Sequence, residues 1–536
     1  MLGINKEQRL RYGVIAVPLV IFGAILLLGF IDQKAFHTLL WDFFKTLMEN
    51  FGWMLSLGCL SFVAFAIFLM LHPIGDIRLG GKDAKPEFTT WNWWAMSLCA
   101  GMAMGIVFWP APEALKHSLA PAGGMFIEPG SQQAMLWAMR TSFLHWTFTP
   151  YAIYVVCGVL IAYAHYNLKR PLAVSSALYP LLGEKSTGKT ATLVDGLTLF
   201  AIVGGVAGSL GYGLLQLGSG LDFLFGLTPG PVIWTVICAL IVITYTTSSA
   251  TGINHGIRWL SDKNALLFIG LLLFAMVFGP TKFSVNLTVQ ATGDYINNFI
   301  SAMTFTDPFP GGDLWPQWWD MYWWADWLSF APITGMFLAR LCYGRTIREF
   351  LVINLVLPAL FALVWFGIFG GLTLHAHFID GNDLKTLMDT KGYEVLMLRL
   401  YDFMPMAEVL RPIMLFAIFI SFVTLADSMT STVSMLSIEN TSSCYSRTEE
   451  APLGMKLFWG ILIGLTSLVF MFIGGLDGIK VVKTIAGVPI LFLEIAMLSG
   501  FILYMIREKR KHTSTAYMIY SPEHHLEEAA AEAEKN

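Results

Sequence analysis

The chain has 536 residues, 56% hydrophobic and 13% charged, with a formal net charge of −4. Soluble domains run at roughly 45–50% apolar and about 25% charged, so this much apolar surface needs a bilayer as its solvent. A net charge this small gives no sign of a nucleic-acid partner, and the six scattered cysteines (Cys59, Cys99, Cys157, Cys238, Cys342, Cys444) form no CxxC or CxxH metal spacing.

A spanning helix needs roughly 20 apolar residues. In chain order the candidate spans are 13–31, 52–72, 92–109, 137–165, 194–221, 231–249, 261–281, 318–341, 350–374, 408–436, 455–474 and 484–505. The fold class expected is therefore an all-α polytopic membrane protein with 12 transmembrane helices. The first run is too long for a signal-peptide core and reads as a retained helix. The more polar stretch 283–305 reads as an interfacial helix. With both termini cytoplasmic, 22 of the 33 Lys and Arg residues fall on the inside, as the positive-inside rule requires of a multi-pass protein in the cell's inner membrane. The tail from Thr513 onward, with its Glu/Ala run, reads as a short surface helix or a disordered segment.

Chemistry concentrates in four places. The eighth span opens Trp315-Pro-Gln-Trp-Trp-Asp-Met-Tyr-Trp-Trp-Ala-Asp-Trp327. An interfacial belt accounts for Trp315, Trp318 and Trp319, but not for aromatics that continue inward. At 100° per residue Trp323, Trp327, Phe330 and Thr334 share a stripe about 60° wide, with Asp326 to one side and Trp324 to the other. Either this is a bulky packing face or it binds a cation. An ionised Asp inside a span costs at least ~2.5 kcal/mol, so Asp326 must face a cavity, a partner or a cation. Aromatic faces beside an anion suit a quaternary ammonium group.

The fourth span carries His145-Trp146-Thr-Phe-Thr-Pro150-Tyr151-Ala-Ile-Tyr154. Trp146, Pro150 and Tyr154 share a side, and Pro150 is expected to bend the helix there, turning Tyr151 the same way. His145 reads as a structural hydrogen-bonding group. The third span runs through Gly101-Met102-Ala103-Met104-Gly105 into Pro110 and Pro112, a poor recipe for a continuous helix. Interrupted spans expose backbone groups that bind ions or a substrate's anionic end, whereas small residues alone also serve close packing. Glu113 and Lys116 follow, either pairing with each other or leaving Lys116 to a substrate carboxylate. The tenth span holds Ser421, Thr424, Asp427, Ser428, Thr430 and Ser431, either back-bonding hydroxyls or hard ligands for sodium.

These residues resemble the betaine/choline/carnitine transporter family. The match is carried by Trp319 to Phe350, above all Gly335-Met-Phe-Leu-Ala-Arg340 and Gly344-Arg-Thr-Ile-Arg-Glu-Phe350. Pro171-Leu-Ala-Val-Ser-Ser-Ala-Leu-Tyr-Pro180 with Gly183-Glu184, His145-Trp146 and Thr424-Leu-Ala-Asp-Ser428 also match, so the likeness covers essentially the whole chain. It implies a homotrimer whose helices 3–12 form the five-plus-five inverted repeat of the leucine-transporter fold. The corresponding blocks are 1–90 with two spans, 91–281 as the first half, 282–306 as the interfacial helix, 307–506 as the second half and 507–536 as the cytoplasmic tail.

The resemblance also implies an aromatic box of Trp146, Tyr151, Tyr154 and Trp327 for the substrate ammonium. Trp323 lies on the same stripe, with Trp324 and Phe330 along the pathway. The backbone of Ala100, Gly101 and Met102 would face the substrate's other end, and a coupling sodium ion would sit by Cys99, Met102, Ser421 and Thr424. No other cofactor is expected. Three positions depart from the family pattern. Asp326 stands where tryptophan is usual, which favours a cation such as choline over zwitterionic betaine. Leu425 replaces the serine of sodium-coupled members, yet Asn264 stands where the sodium-independent carnitine exchanger has arginine. The tail lacks the long basic helix of osmosensing members. The function expected is secondary transport of a methylated ammonium solute by alternating access. Sodium-independent exchange and amino-acid symport on the same fold are the alternatives. A membrane enzyme is not expected, since the chain shows no nucleophile–base pair or metal-ligand spacing.

Overall fold

A computed structural model of the chain describes residues 8–102, 105–250, 256–309, 314–440 and 451–511. The tail read as a surface helix or disordered segment lies outside them. The main helices are α1 (Tyr12–Ile31), α2 (Gln33–Leu71), α3 (Thr90–Met102), α4 (Pro110–Leu119), α5 (Gln132–Trp146), α6 (Phe148–Tyr166) and α7 (Gly188–Phe225). They continue as α8 (Pro231–Ala250), α9 (Gly256–Phe278), α10 (Thr281–Asn297), α11 (Asp320–Leu341), α12 (Leu357–Leu374), α13 (Ala407–Leu436) and α14 (Leu453–Lys511). Among the described residues eight helical segments are long and apolar enough to cross a membrane. The segments at 13–31 and 231–249 qualify only as shorter apolar helices. The third span is interrupted, and α11 carries two aspartates among its aromatics.

Helix α14 is assigned 59 residues, which would reach about 88 Å if straight. It is not straight. A Cβ on Gly478 would lie 3.3 Å from the carbonyl oxygen of Phe470, although eight residues of straight helix rise about 12 Å. The axis therefore turns between Phe470 and Gly478, separating apolar segments Leu453–Phe472 and Gly478–Glu508.

The bundle is organised around α11, whose neighbours are α6 and the second part of α14. Both approach through glycine. A Cβ on Gly335 would lie 3.0 Å from the backbone nitrogen of Gly158, and one on Gly487 would overlap the carbonyl of Ala325. Small residues at these crossings let backbones touch, as membrane interiors favour. Helix α7 packs on α14 at Gly204, where a Cβ would stand 3.2 Å from that of Ala486.

One end of the bundle is tied by basic residues. Gln8–Leu10 pairs antiparallel with Ile438–Asn440, and Arg11 reaches Asp195 at 2.5 Å and the Leu436 carbonyl at 3.1 Å. Arg348 pairs with Asp76 and bonds the Met70 carbonyl at 2.9 Å, so two of the basic segments read as inside loops meet. The expected interfacial stretch forms α10 and Phe299–Met303, with Val285, Val289, Ile296 and Ile300 exposed. The described cysteines Cys59, Cys157, Cys238 and Cys342 are buried and free.

Candidate functional site

The third and fourth spans are both broken where the aromatic residues converge. After α3 the chain resumes as Gly105–Phe108, breaks at Trp109 and continues as α4 with prolines in its first turn. Residues 103 and 104 lie outside the described set. Ala100, Gly101, Met102 and Cys99 form the last turn of α3, and the surroundings of their side chains lie outside it too. In the fourth span the break falls at Thr147, with ψ −114°, rather than at Pro150. The proline ring clashes with the carbonyl four residues earlier, that of Trp146, so the distortion appears on its N-terminal side. The Thr147 hydroxyl donates to the Phe143 carbonyl at 2.6 Å, and Trp146 is left as the final residue of α5, projecting from the break.

Three of the box residues expected from the sequence meet. The Trp146 and Trp327 rings lie 5.1 Å apart at 80°, and Tyr154 lies 5.6 Å from Trp327 at 76°. Trp323 joins them, 4.6 Å from Trp146. The floor and walls come from rings the sequence did not single out. Phe366 of α12 stacks on Trp146 at 5.3 Å and Trp109 stands perpendicular to Trp323 at 5.0 Å. Tyr393, from the segment between α12 and α13, packs on Trp109 at 6.1 Å. Trp146 is 4% exposed and Trp327 7%, so the cluster is sealed from solvent. Tyr151 is buried nearby on α6. Trp324 turns away, edge-on to the His145 ring at 5.9 Å, and Phe330 packs towards Gly205 of α7.

Gly105 has a specific role here. A Cβ at this position would overlap the six-membered ring of Trp146. Gly105→Ala is expected to displace that ring, at a cost of about 1–3 kcal/mol in stability. Uptake should fall far more than the amount of folded protein recovered by size-exclusion chromatography.

A buried polar network holds the tryptophans. Glu113, His145 and Asp320 are at most 3% exposed. His145 bridges the two carboxylates, with Nδ1 3.0 Å from Glu113 Oε2 and Nε2 2.7 Å from Asp320 Oδ1. The Trp146 indole N–H donates to Glu113 Oε1 at 2.9 Å, and the Trp327 indole N–H donates to the His145 carbonyl at 3.1 Å. Glu113 is thus committed to His145 and Trp146, not to Lys116 at an outer mouth. Buried hydrogen bonds of this kind fix side-chain orientation at low dielectric.

Asp326 also differs from its expected role. Its carboxylate pairs with Lys483 of α14, and the two are 5% and 1% exposed. It does not lie beside the box as an open anion. The reason is geometric: the second part of α14 presses on α11 at Gly487, bringing Lys483 against the side of α11 that bears Asp326. Lys480, one turn away, sits over Trp319 at 4.7 Å, Tyr322 at 5.0 Å and Trp109 at 5.9 Å. Both lysines fall in a segment that reads as an outer connection, so only their charge, not their position, was visible.

On α13 the hydroxyls of Ser421 and Thr424 each donate to the carbonyl four residues back, at 2.8 Å. Ser421 Oγ also accepts from the Asn264 amide at 2.9 Å. Asp427, Ser428, Thr430 and Ser431 are buried on the same helix.

Residues 13–510 match the family described as BCCT, betaine/carnitine/choline family transporter. The chain belongs to that family. A glycine betaine transporter of Bacillus subtilis is 32% identical over 92% of this chain and 94% of its own length. An ectoine/hydroxyectoine transporter of Virgibacillus pantothenticus is 32% identical over 92% and 95%. An osmo-dependent choline transporter of Acinetobacter baylyi is 31% identical over 92% of this chain and 71% of its own. This chain is therefore a multi-pass membrane transporter and not an enzyme. In this transporter the aromatic cluster lies where the two broken spans face α11.

Proposed function

We propose that this transporter carries a small methylated ammonium solute of the choline, betaine or carnitine type by alternating access. The observation that supports this most is the convergence of Trp146, Trp323, Trp327 and Tyr154 at ring separations of 4.6–6.3 Å, all buried. A cation that donates no hydrogen bonds gains from aromatic faces within about 6 Å, up to about 2 kcal/mol for each desolvated contact. Among the described residues no lysine or arginine lies over Trp146, Tyr154 or Trp327, whereas Lys480 occupies the adjoining rings. No side-chain cation there competes with a substrate for these rings, which must part to admit one. With Asp326 neutralised by Lys483, the box carries no unpaired charge from that residue and accepts a cation or a zwitterion.

The wider reading is twelve spans, the inverted repeat in helices 3–12 and a homotrimer in the inner membrane with both termini cytoplasmic. Coupling is proposed to use sodium at Cys99, Met102, Ser421 and Thr424. Exchange without sodium is the second reading, favoured by Leu425, which replaces the serine of sodium-coupled members. The Asn264 N–H₂ donates to Ser421 Oγ at 2.9 Å, while its Oδ1 is buried with no hydrogen-bond partner, an acceptor of the kind a sodium shell needs.

The test is uptake into proteoliposomes of choline, betaine, carnitine and leucine, with and without a sodium gradient and with preloaded counter-substrate. The expected result is uptake of at least one methylated amine and none of leucine. Leucine transport alone would replace this reading with amino-acid symport.

A further inference from the structure

We propose that Glu113, His117 and His145 form a binding site for one divalent metal ion, zinc being the ion that best suits the ligand set. Glu113 and His117 stand four residues apart on α4 and so share a face, and His145 comes from the end of α5. All three are 0% exposed. One ligand atom from each lies within 4.8 Å of the others. Glu113 Oε2 is 3.0 Å from His145 Nδ1 and 3.5 Å from His117 Nε2. Zinc bonds of about 2.0–2.1 Å in tetrahedral geometry place neighbouring ligand atoms about 3.3 Å apart, close to both separations.

His117 supplies the independent observation. Both of its ring nitrogens are buried and make no hydrogen bond, while Nε2 points at the Glu113 carboxylate. A buried imidazole with two unsatisfied nitrogens is costly, and a metal bond removes the cost at one of them. Trp319 stands edge-on at 4.5 Å and Trp315 at 5.1 Å, so ordinary solvent does not reach the ring.

The surrounding groups also match a metal site. His145 offers Nδ1 to the metal while its Nε2–H donates to Asp320, the carboxylate–histidine–metal relay that fixes tautomer and orientation. The second oxygen of Glu113 accepts the Trp146 N–H, which orients a ligating carboxylate. Two imidazoles and one carboxylate form a familiar zinc ligand set. The ion would lock α4 to α5 and, through Glu113 and His145, set the positions of Trp146 and Trp327. The rings that pack on His117 are those of Trp137, His145, Trp315 and Trp319 rather than Trp146, Tyr154 or Trp327, so its loss separates metal binding from direct substrate contact.

The experiment uses full-length protein purified through a histidine-free tag, stripped with chelator and dialysed against zinc. Elemental analysis is expected to find one zinc per chain in the wild type and background in His117→Gln. Cobalt in place of zinc should give the visible bands of a tetrahedral site in the wild type and none in the variant. X-ray absorption at the zinc edge of the wild type needs no variant and should show imidazole ligands at about 2.0–2.1 Å. Substoichiometric zinc in the wild type, a shell without imidazole, or equal zinc in a folded His117→Gln protein each overturns the proposal.

Discussion

Trp327→Ala is expected to abolish uptake, and Trp327→Phe to retain a measurable part of it. Trp327 is the ring that touches both Trp146 and Tyr154, and its N–H anchors the α11 side of the box on the His145 carbonyl. Losing one desolvated cation–π face removes up to about 2 kcal/mol, on the order of thirtyfold in affinity. The truncation also leaves a cavity costing about 3–5 kcal/mol in stability, so the variant must be compared with Trp327→Leu, which refills most of the volume without an aromatic face. Both should be recovered as monodisperse protein with greatly weakened substrate binding by tryptophan fluorescence titration. Phe should lie between them and the wild type. Wild-type binding by Trp327→Leu would remove the aromatic box from the account.

Lys483→Met is expected to be the most destabilising single change around α11, and adding Asp326→Asn should largely repair it. Both charges are buried and paired, and removing one partner strands the other at about 3–5 kcal/mol. A double-mutant cycle on heat inactivation in detergent separates the pair energy from the two single effects. Because the pair is neutral, the folded double variant should keep the wild-type ratio of choline to betaine uptake. A strong shift of that ratio toward betaine would show that Asp326 reads substrate charge after all. The same pairing means that Asp326→Trp alone tests little, since it orphans Lys483.

What could be read from the sequence followed periodicity and cost. The stripe of Trp323, Trp327 and Phe330 follows from 3.6-residue spacing, and Trp323 and Trp327 do meet Trp146 and Tyr154 in the structure. The burden of a carboxylate inside a span demanded a cavity, a partner or a cation for Asp326, and the structure supplies Lys483. The partner itself was not legible, because Lys483 lies 157 positions away beyond a glycine-rich turn that reads as an outer connection. Trp109 and Phe366 were invisible for a similar reason: each reaches the aromatic cluster through an interhelical contact that no local pattern encodes. The Thr147 break was displaced from Pro150 because proline disturbs the carbonyl behind it. Glu113 sat in plain view beside Lys116. Only the packing of α4 on α5 shows that it bonds His145 and Trp146 instead.

The central claim is that aromatic faces recognise a positive nitrogen rather than a shape. The most direct measurement is therefore competition in the proteoliposome uptake assay between the best-transported methylated ammonium compound and its neutral isostere, in which carbon replaces the quaternary nitrogen. The isostere keeps the three methyl groups and the volume but loses the charge. It should compete at least about tenfold more weakly, the effect of losing roughly 1.4 kcal/mol of cation–π attraction. Equal competition by the two compounds would contradict the account.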